Sequence, residues 1–139
     1  SCGNLFSTVL NERWNSIMKI HIGRKFEFEA CHFLPGKDIY GECSNLHGHR
    51  YELEVIVAGE INENGWLFNF KDLKRLVEDT VISKYDHQNL NEYFEVPTAE
   101  NMGAYIFQNL SEELKKHNMT LKRIKLNETS KCYVEITEN

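Results

Sequence analysis

Two long stretches of this chain alternate between apolar and charged residues, and they restrict its fold more than any other feature. From Lys19 to Phe33, one parity carries Ile20, Ile22, Phe26, Phe28, Ala30 and His32, while the other carries Lys25, Glu27 and Glu29. From Leu46 to Gly59, the odd positions are His47, His49, Tyr51, Leu53, Val55 and Val57, with Arg50, Glu52 and Glu54 opposed to them. A period of two marks a strand with one face in the core. Between the two stretches lies "LPGKDIYGE", where Pro35, Gly36 and Gly41 mark a loop long enough for an antiparallel return.

Helical spacing follows. "NFKDLKRLVEDTVISKY" places Phe70, Leu73, Leu76, Val77 and Val81 on one stripe, with Asn69 as cap and Asp72 three residues on. "DHQNLNEYFEVP" is a polar connection. "TAENMGAYIFQNLSEELKKH" is a second helix, capped by Thr98 and striped by Met102, Ile106, Leu110 and Leu114. Two short strands close the chain: "LKRIKLNET", with Ile124, Leu126 and Glu128 on one face, and "KCYVEIT". The order is ββααββ. Because strands and helices come in blocks, the expectation is an α+β fold with an antiparallel four-stranded sheet.

A chain of 139 residues suits one domain, expected over residues 18–139. Residues 1–17 have scattered apolar positions and read as an N-terminal extension or a remnant of expression. The net charge of -5 and the lack of a basic run argue against a nucleic-acid partner. No apolar stretch approaches the roughly 18 residues of a membrane span. Cys2, Cys31, Cys43 and Cys132 are irregularly spaced, which suits reduced thiols in the cytoplasm.

His47 and His49 share a face because i and i+2 do so on a strand. His32 ends the core-facing row of the first strand, and an antiparallel return brings it beside them. Three imidazoles at the rim of an apolar face each need a partner for a nitrogen. Three histidine ligands on a divalent metal, with zinc favoured, answer that need and leave a fourth position open. Cys43, four residues before His47, has three readings: a thiol activated as base or nucleophile, a fourth metal ligand that closes the site, or a small buried apolar residue. Asp86 and His87 supply a carboxylate that can orient an imidazole as a proton carrier. Because adjacent residues rarely bond each other directly, either one can instead serve a third group or simply face solvent. Glu128, on an apolar parity, is either at an exposed strand end or buried with a partner, where a carboxylate suits a bidentate N–H pair.

Taken together, "FEFEACHFLP", "CSNLHGHRYELEV", "YDHQNLN", "PTAEN" and "LNET" resemble, in that order, the 6-pyruvoyl- and 6-carboxy-tetrahydropterin synthase family. The resemblance covers the chain from about Lys19 onward. It implies the tunnelling fold, with two helices on one face of the sheet, and a homo-oligomer, in many members a hexameric dimer of trimers with active sites between subunits. It also implies zinc on His32, His47 and His49, Cys43 as the proton-abstracting thiolate, Asp86 and His87 as a relay, and Glu128 as the anchor of the pterin ring. The implied substrate is dihydroneopterin triphosphate. Three residues between Cys43 and His47 look like the carboxy-producing, queuosine-pathway branch, since the pyruvoyl branch typically has two more. A third branch, which makes 6-hydroxymethyl-dihydropterin, looks to carry glutamate at or just after the cysteine position, where this chain has Ser44. A non-catalytic, zinc-stabilised binding module, with Cys43 as fourth ligand, is the competing reading from another class.

Overall fold

The computed structural model describes residues 3–139, with side chains from Val9 onward. Helix α1 (Gly3–Ile17) leads into strand β1 (Ile20–His32). A short helix α2 (Lys37–Tyr40) and a 3-10 turn (Gly41–Ser44) precede strand β2 (His47–Gly59). Helix α3 (Phe70–Val77) widens into a π turn (Glu78–Ile82) and closes as α4 (Ser83–Tyr85). Then come β3 (Gln88–Asn89), α5 (Ala99–Lys115), β4 (Thr120–Asn127) and β5 (Tyr133–Thr137).

The sheet runs β3-β1-β2-β4-β5. Its four long strands are antiparallel neighbours, as the alternation predicts. The expected count of four is one short, because Gln88 and Asn89 add a parallel strand beside Ala30 and Cys31. Two residues are too few to show a period, so this strand leaves no trace in the pattern. Helix α1 was not anticipated either. It is tied down through Asn15, whose side chain donates to the Ile61 carbonyl (3.1 Å) and accepts from its N–H (2.9 Å).

One face of the sheet carries the core. Phe26, Phe28 and Ala30 of β1, the run Tyr51 to Val57 of β2 at odd positions, and Ile124 and Leu126 of β4 are all buried. They join Leu73, Val77 and Val81 and the α5 stripe Met102, Ile106, Leu110 and Leu114 in one cluster. Each fully buried aliphatic side chain contributes about 1.5–3 kcal/mol. Asn69 caps α3 by accepting from the Lys71 N–H (2.8 Å), and Thr98 caps α5 by accepting from the Asn101 N–H (3.2 Å). Phe70 departs from the predicted stripe: it sits in the first turn of α3 and is half exposed. The other face of the sheet presents charge, including Lys25, Glu27, Glu29, Arg50 and Glu52. Among the described residues, no helix is long and apolar enough to cross a membrane.

Candidate metal centre and active site

Strands β1 and β2 pair without interruption from Ile20↔Gly59 to His32↔His47. That register sets His47 directly across from His32, and His49 across from the small Ala30. Directly opposed side chains in an antiparallel pair lie within contact, and a diagonal neighbour is within reach of a ring. The three imidazoles therefore converge, with ring centroids 4.6–5.0 Å apart. One nitrogen from each lies within 4.8 Å of the others.

Backbone carbonyls decide which nitrogens face inward. His32 Nδ1 donates to the Pro97 carbonyl (2.8 Å), and His47 Nδ1 donates to the Asn45 carbonyl (2.6 Å). A carbonyl can only accept, so in the neutral rings both Nε2 atoms carry lone pairs. Those two Nε2 atoms stand 3.0 Å apart. Nε2 of His49 is buried and makes no aligned hydrogen bond, with the Glu128 carboxylate 3.3 Å away. Inward lone pairs and this buried nitrogen, at the end of a paired hairpin, form a donor set suited to a divalent cation. Burial pushes the His32 and His49 imidazoles below the ordinary histidine value, opposed at His32 by the Pro97 hydrogen bond and then by the charge of Glu128, and at His49 by Glu128. The shift favours the neutral form that ligation needs.

Glu128 follows β4, and its N–H is held by the Cys132 carbonyl (3.0 Å). Its Oε1 lies 3.3 Å from His49 Nε2, with the side chain 30% exposed. The carboxylate therefore stands beside the histidine cluster, partly open to solvent.

Asp86 and His87 do come into direct contact, contrary to the general expectation for neighbours. His87 adopts a left-handed backbone, φ 58°, which folds its ring back so that Nδ1 is 3.0 Å from Asp86 Oδ1. A non-glycine residue in that region carries strain that its surroundings must hold. Here Asp86 Oδ1 also accepts from the Glu29 N–H (3.0 Å), locking the pair to the edge of β1. That backbone N–H, followed by His87, holds the Asp86 carboxyl below its usual value. The His87 ring itself is 75% exposed. It lines a groove of about 530 Å³ with Glu29, Cys31 and Arg50, which also reaches His49. His32 points to the opposite face of β1.

Cys43 sits exposed in the 3-10 turn, with its carbonyl accepting from the Leu34 N–H (2.8 Å). It is not a member of the histidine cluster. The reading of Cys43 as a fourth ligand that closes the site therefore finds no support in the geometry. Nor does the fold of one chain gather all seven residues: three histidines and Glu128 meet, Asp86 and His87 pair elsewhere, and Cys43 stands apart.

The family of 6-pyruvoyl tetrahydropterin synthases matches residues 21–139. The chain belongs to that family. A protein of Archaeoglobus fulgidus, provisionally named 6-carboxy-5,6,7,8-tetrahydropterin synthase, is 37% identical over 83% of this chain and 93% of its own. The dihydroneopterin monophosphate aldolase of Pyrococcus furiosus is 36% identical over 86% of this chain and 98% of its own. The Caenorhabditis elegans 6-pyruvoyl tetrahydropterin synthase structure superposes with a TM-score of 0.78 at 26% identity, covering 88% of this chain and 97% of that one. This member of the 6-pyruvoyl tetrahydropterin synthase family is accordingly an enzyme of lyase type, which removes the reading as a non-catalytic binding module.

Within this family member, the site groups that sequence reasoning missed are backbone ones. The carbonyls of Asn45 and Pro97, which orient His47 and His32, have no side-chain signature. Their only trace is position: Asn45 lies two residues before His47, and Pro97 lies in the quoted "PTAEN".

Proposed function

We propose that this enzyme converts 7,8-dihydroneopterin triphosphate and water to 6-carboxy-5,6,7,8-tetrahydropterin, acetaldehyde and triphosphate, serving queuosine or another 7-deazapurine. The observation that carries the choice of product is the spacing of three residues between Cys43 and His47. The Archaeoglobus relative supports it.

His32, His47 and His49 would hold the metal, with zinc the best match to three imidazoles and an open position. When bound, the ion supplies Lewis acidity toward the oxygens of the substrate side chain. Cys43, as thiolate, takes a carbon-bound proton next to such an oxygen. His87 relays that proton, its Nδ1 held 3.0 Å from Asp86 Oδ1. Glu128 accepts a pair of ring N–H bonds and holds the pterin over the histidine cluster.

Within one chain neither His87 nor Cys43 joins the group of His32, His47 and His49. The reading taken from the family resemblance is a homo-oligomer, a hexameric dimer of trimers, whose sites between subunits would bring His87 to a neighbour's Cys43. The structured unit is taken as one domain of residues 18–139, with α1 as an addition in front of it.

The test is to incubate zinc-loaded protein with dihydroneopterin triphosphate and identify products by mass spectrometry. Carboxy-tetrahydropterin with acetaldehyde is expected. Pyruvoyl-tetrahydropterin, the second reading favoured by the Caenorhabditis structure, would keep the site and move the pathway to tetrahydrobiopterin. A hydroxymethyl product would overturn both and place the chain beside the Pyrococcus aldolase.

A further inference from the structure

We propose that Asn101 is a positioning residue for His32, acting through the peptide of Val96 and Pro97, and thereby a determinant of metal affinity. The inference rests on the three-histidine reading above. His32 is 1% exposed, and its Nδ1 has Pro97's carbonyl as its close acceptor, at 2.8 Å. That carbonyl belongs to the Pro97–Thr98 peptide, so it is oriented by whatever holds the Thr98 N–H; the Val96–Pro97 peptide before it has no N–H of its own. The Val96 carbonyl accepts from the Thr98 N–H (2.9 Å) and from Asn101 Nδ2 (2.8 Å). On the far side of Pro97, Thr98 Oγ1 accepts from the Asn101 N–H (3.2 Å), and the Thr98 carbonyl accepts from the Met102 N–H (3.0 Å).

Asn101 therefore grips both residues that flank Pro97. Its backbone bond serves the helix in the ordinary way of an N-cap. Its side-chain bond does not: it reaches backward, out of α5, to a carbonyl in the preceding loop. Asn101 is exposed and fills no core position. What its amide secures is the orientation of the Pro97 carbonyl, hence the tautomer and ring angle of His32. A partner bonded directly to a ligating imidazole is worth about 10–100-fold in metal affinity, and Asn101, one link further out, carries the lower part of that effect.

The test compares Asn101→Asp, which keeps the shape but loses the donor, and Asn101→Ala with Asn69→Ala. The last removes the cap of α3 and lowers stability away from His32. Zinc affinity by chelator competition and the visible absorption of the cobalt-substituted full chain are the readouts. Both Asn101 variants should bind zinc about tenfold more weakly, with altered cobalt bands, while Asn69→Ala binds as the parent does. Two variants of different size keep the test usable if one fails to fold. Parental affinity and bands in the Asn101 variants, with metal lost in His32→Ala, would overturn this role and leave the histidine site standing. Parental metal binding in His32→Ala would overturn the site itself and this role with it.

Discussion

The Nε2 atoms of His32 and His47 face each other across 3.0 Å, each ring already giving its Nδ1 hydrogen to a backbone carbonyl. Two lone pairs at that distance repel unless a cation or a proton lies between them. Zinc at about 100 times its dissociation constant is expected to stabilise the fold by about 2.7 kcal/mol. His32→Ala or His49→Ala should abolish both that gain and stoichiometric binding, read by thermal melts and metal analysis.

Acid should destabilise the metal-free protein in a defined window. Burial lowers the folded-state pKa of His32 and His49 below the ordinary 6.5. Between the lowered value and 6.5 the unfolded chain binds protons that the folded chain does not, so stability rises with pH there. The contribution is complete above pH 6.5 and is lost as pH falls below it. Urea melts from pH 8 to pH 5 check the sign; stability that rose on acidification would contradict it.

Cys43→Ala should leave zinc stoichiometry unchanged, because the thiol stands outside the histidine cluster. Turnover should fall about 10²–10⁴-fold, the usual worth of a positioned proton acceptor. Zinc loss in this variant would restore the closed-site reading.

Separation of His87 from the histidines within one chain leads to a mixing experiment. Cys43→Ala and His87→Ala should each be inactive alone. Co-refolded in equal amounts, they should recover roughly a quarter of the parental activity if sites combine residues of two copies at random. No recovery in a mixed oligomer would mean that each site is built within one chain.

Glu128→Ala should raise the substrate KM about tenfold or more, as the loss of charged hydrogen bonds to a ring does. The ion should remain. Because Glu128 Oε1 lies 3.3 Å from His49 Nε2, a few-fold weakening of metal affinity is expected alongside. Complete zinc loss would make Glu128 a ligand rather than an anchor.

The strands and the histidine cluster could be read from the chain because both follow from a period of two. Once Phe28 and Leu53 are assigned to the core, His32, His47 and His49 have only one face available. The Asp86–His87 contact could not be read, because it depends on one left-handed residue whose φ has no pattern in the sequence. Strand β3 was hidden by its length, and the carbonyls of Asn45 and Pro97 by the fact that every residue has one. Phe70 shows the opposite error: its spacing matched the stripe, but its place in the first turn left it half exposed.

The unbroken pairing of β1 with β2 makes the ion a gauge of alignment. A slip of one residue in either strand would turn its histidines to the charged face and scatter the donors. Only the correctly aligned hairpin presents three nitrogens together. Any ion those nitrogens hold would therefore favour that alignment over its shifted competitors, and so proofread the sheet that carries it.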